Sequence, residues 1–168
     1  MLLVTYLIGM DRAPSLRTLW AFTGAAALVA TVFGCQRESA SKAAATSARK
    51  ELLTHCQADW RLVRWTEQGV DVALPKDARA TLRCDSAGVV MGDSFVNHYS
   101  FMPPSGPTAL FGEGTTTLMA SSPDLMAAED RFMRAIRHTA GVKLTDGRLV
   151  LSSKDDKGRL EFEKERAR

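Results

Sequence analysis

The 168-residue sequence predicts an α+β fold: a mainly antiparallel β sheet packed with one α-helix, preceded by a signal peptide and a flexible stalk. Three observations predict it. Short segments of alternating polarity, separated by Gly, Pro, Asp and Asn, fill most of residues 60–162. One stretch after Ser121 has helical spacing instead. An uncharged apolar run, Leu19 to Phe33, ends at Gly34, and the composition turns polar after Cys35. Strands in series with a lone helix favour an antiparallel sheet over a parallel one.

The strands follow in order. Trp60-Arg61-Leu62-Val63-Arg64-Trp65 alternates, with Trp60 and Leu62 facing one way. Five residues apart on an unbroken strand, Trp60 and Trp65 point to opposite faces. One belongs to the core; the other is a partner anchor or is covered by Arg stems. Gln68-Gly69 breaks the strand, and Val70 to Leu74 is an edge segment ended by Pro75. Ala80 to Cys84 is the next strand, with Ala80, Leu82 and Cys84 inward. Asp85 to Gly88 has turn chemistry, and Val89 to Gly92 returns. Phe95 to Phe101 is a loop and a strand, stopped by Pro103 to Pro107. Two short strands are expected at Thr108 to Phe111 and Thr115 to Met119.

The helix starts at a Ser121 or Ser122 cap, with Pro123 in its first turn and Asp124 at the positive dipole end. Leu125, Ala128, Phe132, Ala135 and Ile136 share one face, beside Met126 and Met133. Asp130 and Arg134 are spaced for a surface pair, and Gly141 is the expected stop. Val142 to Leu144, an Asp146-Gly147 turn and Arg148 to Ser152 read as a hairpin. Arg159 to Glu163 is a last strand with Leu160 and Phe162 inward.

The N-terminal third sets the organisation. Arg12 and Arg17 precede the apolar run, which is shorter than the roughly 20 residues of a membrane span. A basic start, a short apolar run and a small residue at the cut make a secretory signal. Met1 to Ile8 is apolar where such a signal is basic, which points to Met10 as the true start. The division is residues 1–34 signal, 35–53 linker and 54–165 folded domain. Gln36 to Lys50 is rich in Ala, Ser and Lys without a large apolar side chain, so it buries too little to offset its ordering entropy. The formal net charge is +3 with no Lys/Arg block, which argues against nucleic acid as a partner.

Val32-Phe33-Gly34-Cys35 resembles the lipobox of bacterial lipoproteins, with Phe33 bulkier than usual. That resemblance implies cleavage after Gly34 and lipidation of Cys35, hence a membrane partner through the lipid. Gln36 is not the Asp that holds many lipoproteins at the inner membrane. The analogy therefore favours the outer membrane, facing the periplasm. Cys56 and Cys84 remain as an even pair, compatible in an oxidising compartment with a disulfide or with two buried thiols.

A collinear series of features also resembles the META-domain family of HslJ-like proteins. It comprises Trp60-Arg61-Leu62, Thr81-Leu82 through Asp85 and Gly88, Gly92 followed by Val96-Asn97 and Tyr99, Thr117 to Ser121, Phe132, and Leu149 with Leu151. The family's two cysteine positions are here Val96 and Ser121. If those cysteines pair in the family, this chain has Cys56 and Cys84 to use instead. The family has no agreed enzymatic activity, so the resemblance implies fold and location more than chemistry.

Catalytic constellations are thin. Gly92-Asp93-Ser94-Phe95 resembles an esterase motif, but no Asp stands three residues before His98 or His138. His55 has no further ligands at metal spacing. His138 suits a helix C-terminus. No catalytic residue, metal or cofactor is expected. The candidate binding strip is Asn97, His98 and Tyr99. The sequence reads as a non-enzymatic envelope lipoprotein acting through protein contacts in stress response or maintenance, its partner an unknown envelope protein. The alternative is a periplasmic binding or inhibitor module for a hydrolase or small ligand.

Overall fold

A computed structural model describes residues 26–166, with backbone alone for 26–37. Most of the predicted signal, residues 1–25, lies outside the described residues, as does the side chain of Cys35. From Gln36 onward the chain makes up one unit. Among the described residues no helix is long and apolar enough to cross a membrane.

The strands are β1 (Trp60–Glu67), β2 (Val70–Asp71), β3 (Thr81–Cys84), β4 (Val90–Asp93), β5 (His98–Phe101), β6 (Gly114–Thr116), β7 (Thr139–Thr145), β8 (Arg148–Ser153) and β9 (Arg159–Lys164). They form one curled antiparallel sheet in the order β6-β5-β4-β3-β1-β9-β8-β7, with β2 paired to β1. Alternation sends Leu62, Leu82, Phe101, Leu149, Leu151, Leu160 and Phe162 to the inner face, where all are buried. Each such side chain contributes roughly 2 kcal/mol over its exposed state. The α+β class and its dominant antiparallel sheet match the expectation.

Five local expectations are corrected. Trp60 and Trp65 do not face opposite ways; both are buried. The register of β1 against β9 shifts between Leu62 and Arg64, and this bulge turns Trp65 back to the core. Residues 108–111 form no strand; Leu110 is buried from a loop, held in part by Arg49 Nη1 donating to its carbonyl at 3.4 Å. Helix α2 spans Pro123–Arg137 and stops before Gly141, because His138 caps it: the His138 N–H reaches Arg134 O at 3.0 Å and Nδ1 bonds the same carbonyl at 2.7 Å. Asp130 does not pair with Arg134. Arg131 instead reaches Glu67 on β1 at 2.7 Å and lies over the Trp65 ring.

The fifth correction concerns the linker and the number of helices. Residues 35–53 lie within helix α1 (Ala26–His55), so two helices accompany the sheet, not one. Alanines give this segment high helical propensity, and Glu38 pairs with Lys42 one turn on at 2.7 Å. Alone such a helix is marginal. Its last turns dock: Ala48, Leu52 and Cys56, spaced four apart, are buried in the core. Cys56 is disulfide-bonded to Cys84 on β3, with Cα atoms 5.1 Å apart, and the Cys84 N–H donates to Cys56 O. Cys84 faces inward because Leu82 does, two residues earlier on the same strand.

The bridge closes a loop of 28 residues. Chain-entropy scaling gives about 3.5 kcal/mol for a loop of that size. Replacing both Cys56 and Cys84 by Ser should lower the unfolding free energy by about that amount. Urea unfolding of the variant against the parent measures it.

Candidate functional site

Helix α2 presents an apolar stripe to the inner face, and one member of the stripe is acidic. Glu129 sits one turn after Leu125 and just before Phe132, and it is 6% exposed. Its carboxylate accepts from the Ser94 hydroxyl, from the Asn97 backbone N–H at 3.2 Å and from Asn97 Nδ2 at 2.8 Å. Asn97 Oδ1 in turn accepts from Thr117 Oγ1 at 2.9 Å and the Met119 N–H at 2.7 Å. The network therefore ties α2, the β4–β5 connection and the segment after β6 to one another.

Between Ser94 and Asn97 the chain turns sharply, with Phe95 at φ +75°. A bulky residue in that region costs on the order of 1 kcal/mol or more. The Ser94 N–H to Asn97 O bond at 2.7 Å and the Phe95 N–H to Arg79 O bond at 2.9 Å hold it there. Ser94 is fully buried with its hydroxyl turned to Glu129, so the Gly92-Asp93-Ser94-Phe95 motif presents no accessible nucleophile. Gly92 is required by close approach: a Cβ there would collide with the Thr81 carbonyl.

Strand alternation divides the predicted binding strip. Asn97 and Tyr99 point inward; His98 is exposed on the outer face. The Tyr99 hydroxyl donates to Thr81 O at 2.7 Å. Burial first, and the Asp93 charge second, push the Tyr99 phenol far above its ordinary pKa. His98, its side chain 72% exposed, contacts Asp93 Oδ1 through Nδ1 at 2.6 Å.

Asp93 is the hub of an open groove of about 680 Å³ on the outer face of β3, β4, β5 and β6. Its Oδ2 accepts from Arg79 Nε at 3.1 Å and Thr81 Oγ1 at 3.3 Å, and its N–H donates to Thr81 Oγ1 at 2.8 Å. Ser100 and Thr115 hydroxyls bond each other across β5 and β6 at 3.0 Å. The groove offers hydroxyls, a carboxylate–histidine pair and the guanidinium of Arg79 to a polar ligand. Among the described residues no group of His, Cys, Asp and Glu has metal-binding geometry. Of the predicted binding residues His98 and Tyr99 line this groove, whereas Asp93, Arg79 and Thr81 were not singled out as binding residues. Sequence reasoning also missed Glu129, although a carboxylate in the middle of an apolar helix stripe is a readable signal.

The META domain family model matches residues 51–167. A protein from Burkholderia xenovorans, solved by NMR, is similar in structure at TM-score 0.58 and 23% identity, over 73% of this chain and 89% of that one. A DUF4847 family protein from Bacteroides vulgatus, solved by crystallography, has TM-score 0.46 and 12% identity, over 67% of this chain and 96% of that one. No curated protein is matched. The Burkholderia likeness shows the shared fold.

Two outcomes follow from the buried polar groups. Glu129→Ala strands three donors in the core and should cost about 3 kcal/mol. Urea unfolding reads that loss, and faster hydrogen exchange at the Met119 amide in Asn97→Ala reads the broken link to the segment after β6. The second concerns Tyr99, whose pKa is raised in the fold. The folded chain keeps the phenolic proton while the unfolded chain loses it near pH 10. This contribution is whole below about pH 10 and declines as pH rises beyond it. Tyr99→Phe should flatten the alkaline decline and cost about 1 kcal/mol at neutral pH. Denaturant midpoints across an alkaline pH series check both.

Proposed function

The chain belongs to the META-domain family, and from that premise we propose that it is a non-enzymatic lipoprotein of the cell envelope, anchored through Cys35 and acting by protein contacts in envelope maintenance or stress response. The apolar run Leu19 to Phe33 closing on Gly34-Cys35 supports the anchor. More than one acyl chain on that cysteine would make release from the membrane slow. Gln36 favours the outer membrane with the domain facing the periplasm.

The observation that carries the contact role is Leu118. It is 97% exposed, next to the half-exposed Met119 and near the start of α2. The backbone on either side of it is fixed, Thr117 N–H to His98 O at 3.0 Å and Met119 N–H to Asn97 Oδ1 at 2.7 Å. An apolar side chain held outward on rigid backbone suits a protein anchor point. The inward hydroxyl of Ser94 and the engagement of Asp93 with Arg79, Thr81 and His98 fit a role without catalysis.

A second reading, a binding or inhibitory module for a hydrolase or small ligand, is favoured by one feature: the Asp93–His98 pair in an open groove.

Cys35→Ser should leave the chain uncleaved or unlipidated, so it loses its membrane-fraction band of mature size. Normal fractionation of that variant at mature size refutes the anchor. A photo-crosslinking residue at position 118 should capture an envelope protein that the same residue at Lys154 does not; equal capture at both sites refutes the contact role.

A further inference from the structure

A second open depression, of about 1040 Å³, lies where the end of β9 meets the start of β1 and the loop after Pro75. Five cations line it: Arg61, Lys76, Arg79, Lys164 and Arg166. Three carboxylates share it: Asp59, Asp77 and Glu165.

Pairing leaves these charges unbalanced. Glu165 is engaged by Arg79 at 3.8 Å, and Asp59 by Arg83 at 3.9 Å. Glu163, opposite Arg61 in the sheet register, is committed to Arg148 at 2.8 Å. Arg61, Lys76, Lys164 and Arg166 make no ion pair among the described residues, and neither does Asp77. Four unpaired cations thus face one unpaired carboxylate. The depression therefore carries a local excess of positive charge.

The backbone carrying these cations is fixed. Leu62 N–H donates to Ala80 O at 2.9 Å, Phe95 N–H to Arg79 O at 2.9 Å and Glu165 N–H to Asp59 O at 2.8 Å. Pro75, directly before Lys76, stiffens the loop. Arg61 brings a planar fork that matches phosphate oxygens, and the two lysines bring compact point charges from different elements.

We propose that this depression binds a ligand carrying two or more clustered phosphate groups. A singly charged ion would meet one or two of the four cations and leave the rest repelling one another. A multiply charged ligand neutralises them together. The clustered phosphate belongs either to lipid headgroups at a membrane surface or to a soluble polyphosphate. The inference stands on the depression itself and does not depend on the lipid anchor.

The full chain is incubated with inorganic tripolyphosphate, and separately with vesicles of pure phosphatidylcholine or of equal parts phosphatidylcholine and phosphatidylglycerol. Acetylation of Lys76 and Lys164 is read by mass spectrometry against Lys154, which lies on the β8–β9 turn. Both lysines should be protected, and the double variant K76E/K164E should bind tripolyphosphate at least about tenfold more weakly, with added salt weakening the parent as well. Protection by tripolyphosphate alone identifies a soluble ligand; protection by the phosphatidylglycerol vesicles identifies headgroups. Either supports the site. Protection no greater than that of Lys154 with every probe, or binding of the protecting probe unchanged in K76E/K164E, overturns it. An unchanged urea midpoint for the variant separates lost binding from lost folding.

Discussion

The structure depends on one buried carboxylate. Glu129 occupies a place on α2 that the helical period reserves for an apolar side chain, between Leu125 and Phe132. A lone acid in that place would be costly. Here the β4–β5 turn delivers three donors to it, two of them from Asn97. The same Asn97 passes the constraint on to Thr117 and Met119. Three pieces of chain far apart in sequence are thereby held in one geometry, including the positive φ of Phe95. Directional bonds at this point specify how α2 lies on the sheet, which apolar packing alone leaves less defined.

Around this centre the aromatic side chains complete the core. Phe132 of α2 meets Trp65, Phe95 and Tyr99 edge-on, with ring centroids 5.6 to 6.3 Å apart. Trp65 reaches that cluster only because β1 carries a bulge. The bulge also places Arg64 on the outer face, where it pairs with Asp71 at 3.0 Å and Glu161 at 3.6 Å. One irregularity in one strand therefore serves both faces. On the other flank, the Cys56–Cys84 bridge and the burial of Leu52 fasten the end of α1 to β3.

Much of this was legible in the sequence, and the part that was not has identifiable causes. Strict alternation in Arg159 to Glu163, and in Ala80, Leu82 and Cys84, predicts the inward residues correctly, because an unbroken strand has a fixed period of two. Trp65 was misread because a bulge has no compositional signature; it is a property of the pairing with β9. The helical state of residues 35–53 was missed because composition measures what a segment can bury alone. Here the disulfide and three residues four apart supply the docking. Thr108 to Phe111 has strand-like composition but no neighbour to pair with. Of the outer groove, His98 and Tyr99 were singled out for binding, but Arg79, Thr81 and Asp93 were not, since they are ordinary residues until the sheet brings them together.

The two faces of the sheet divide the labour of the molecule. Gly92, Asn97 and Tyr99, which carry part of the family resemblance, all do structural work: close approach to Thr81, the amide link to Glu129, and the bond to the Thr81 carbonyl. Features shared with the family in this region therefore report the fold. The groups free to meet another molecule lie elsewhere: the charged outer surface of the strands and the exposed Leu118. None of these is required to bury the core, so their character can vary without loss of folding. Proteins of this family can thus share an interior while differing in what they touch, and similarity of fold does not carry a partner from one to another.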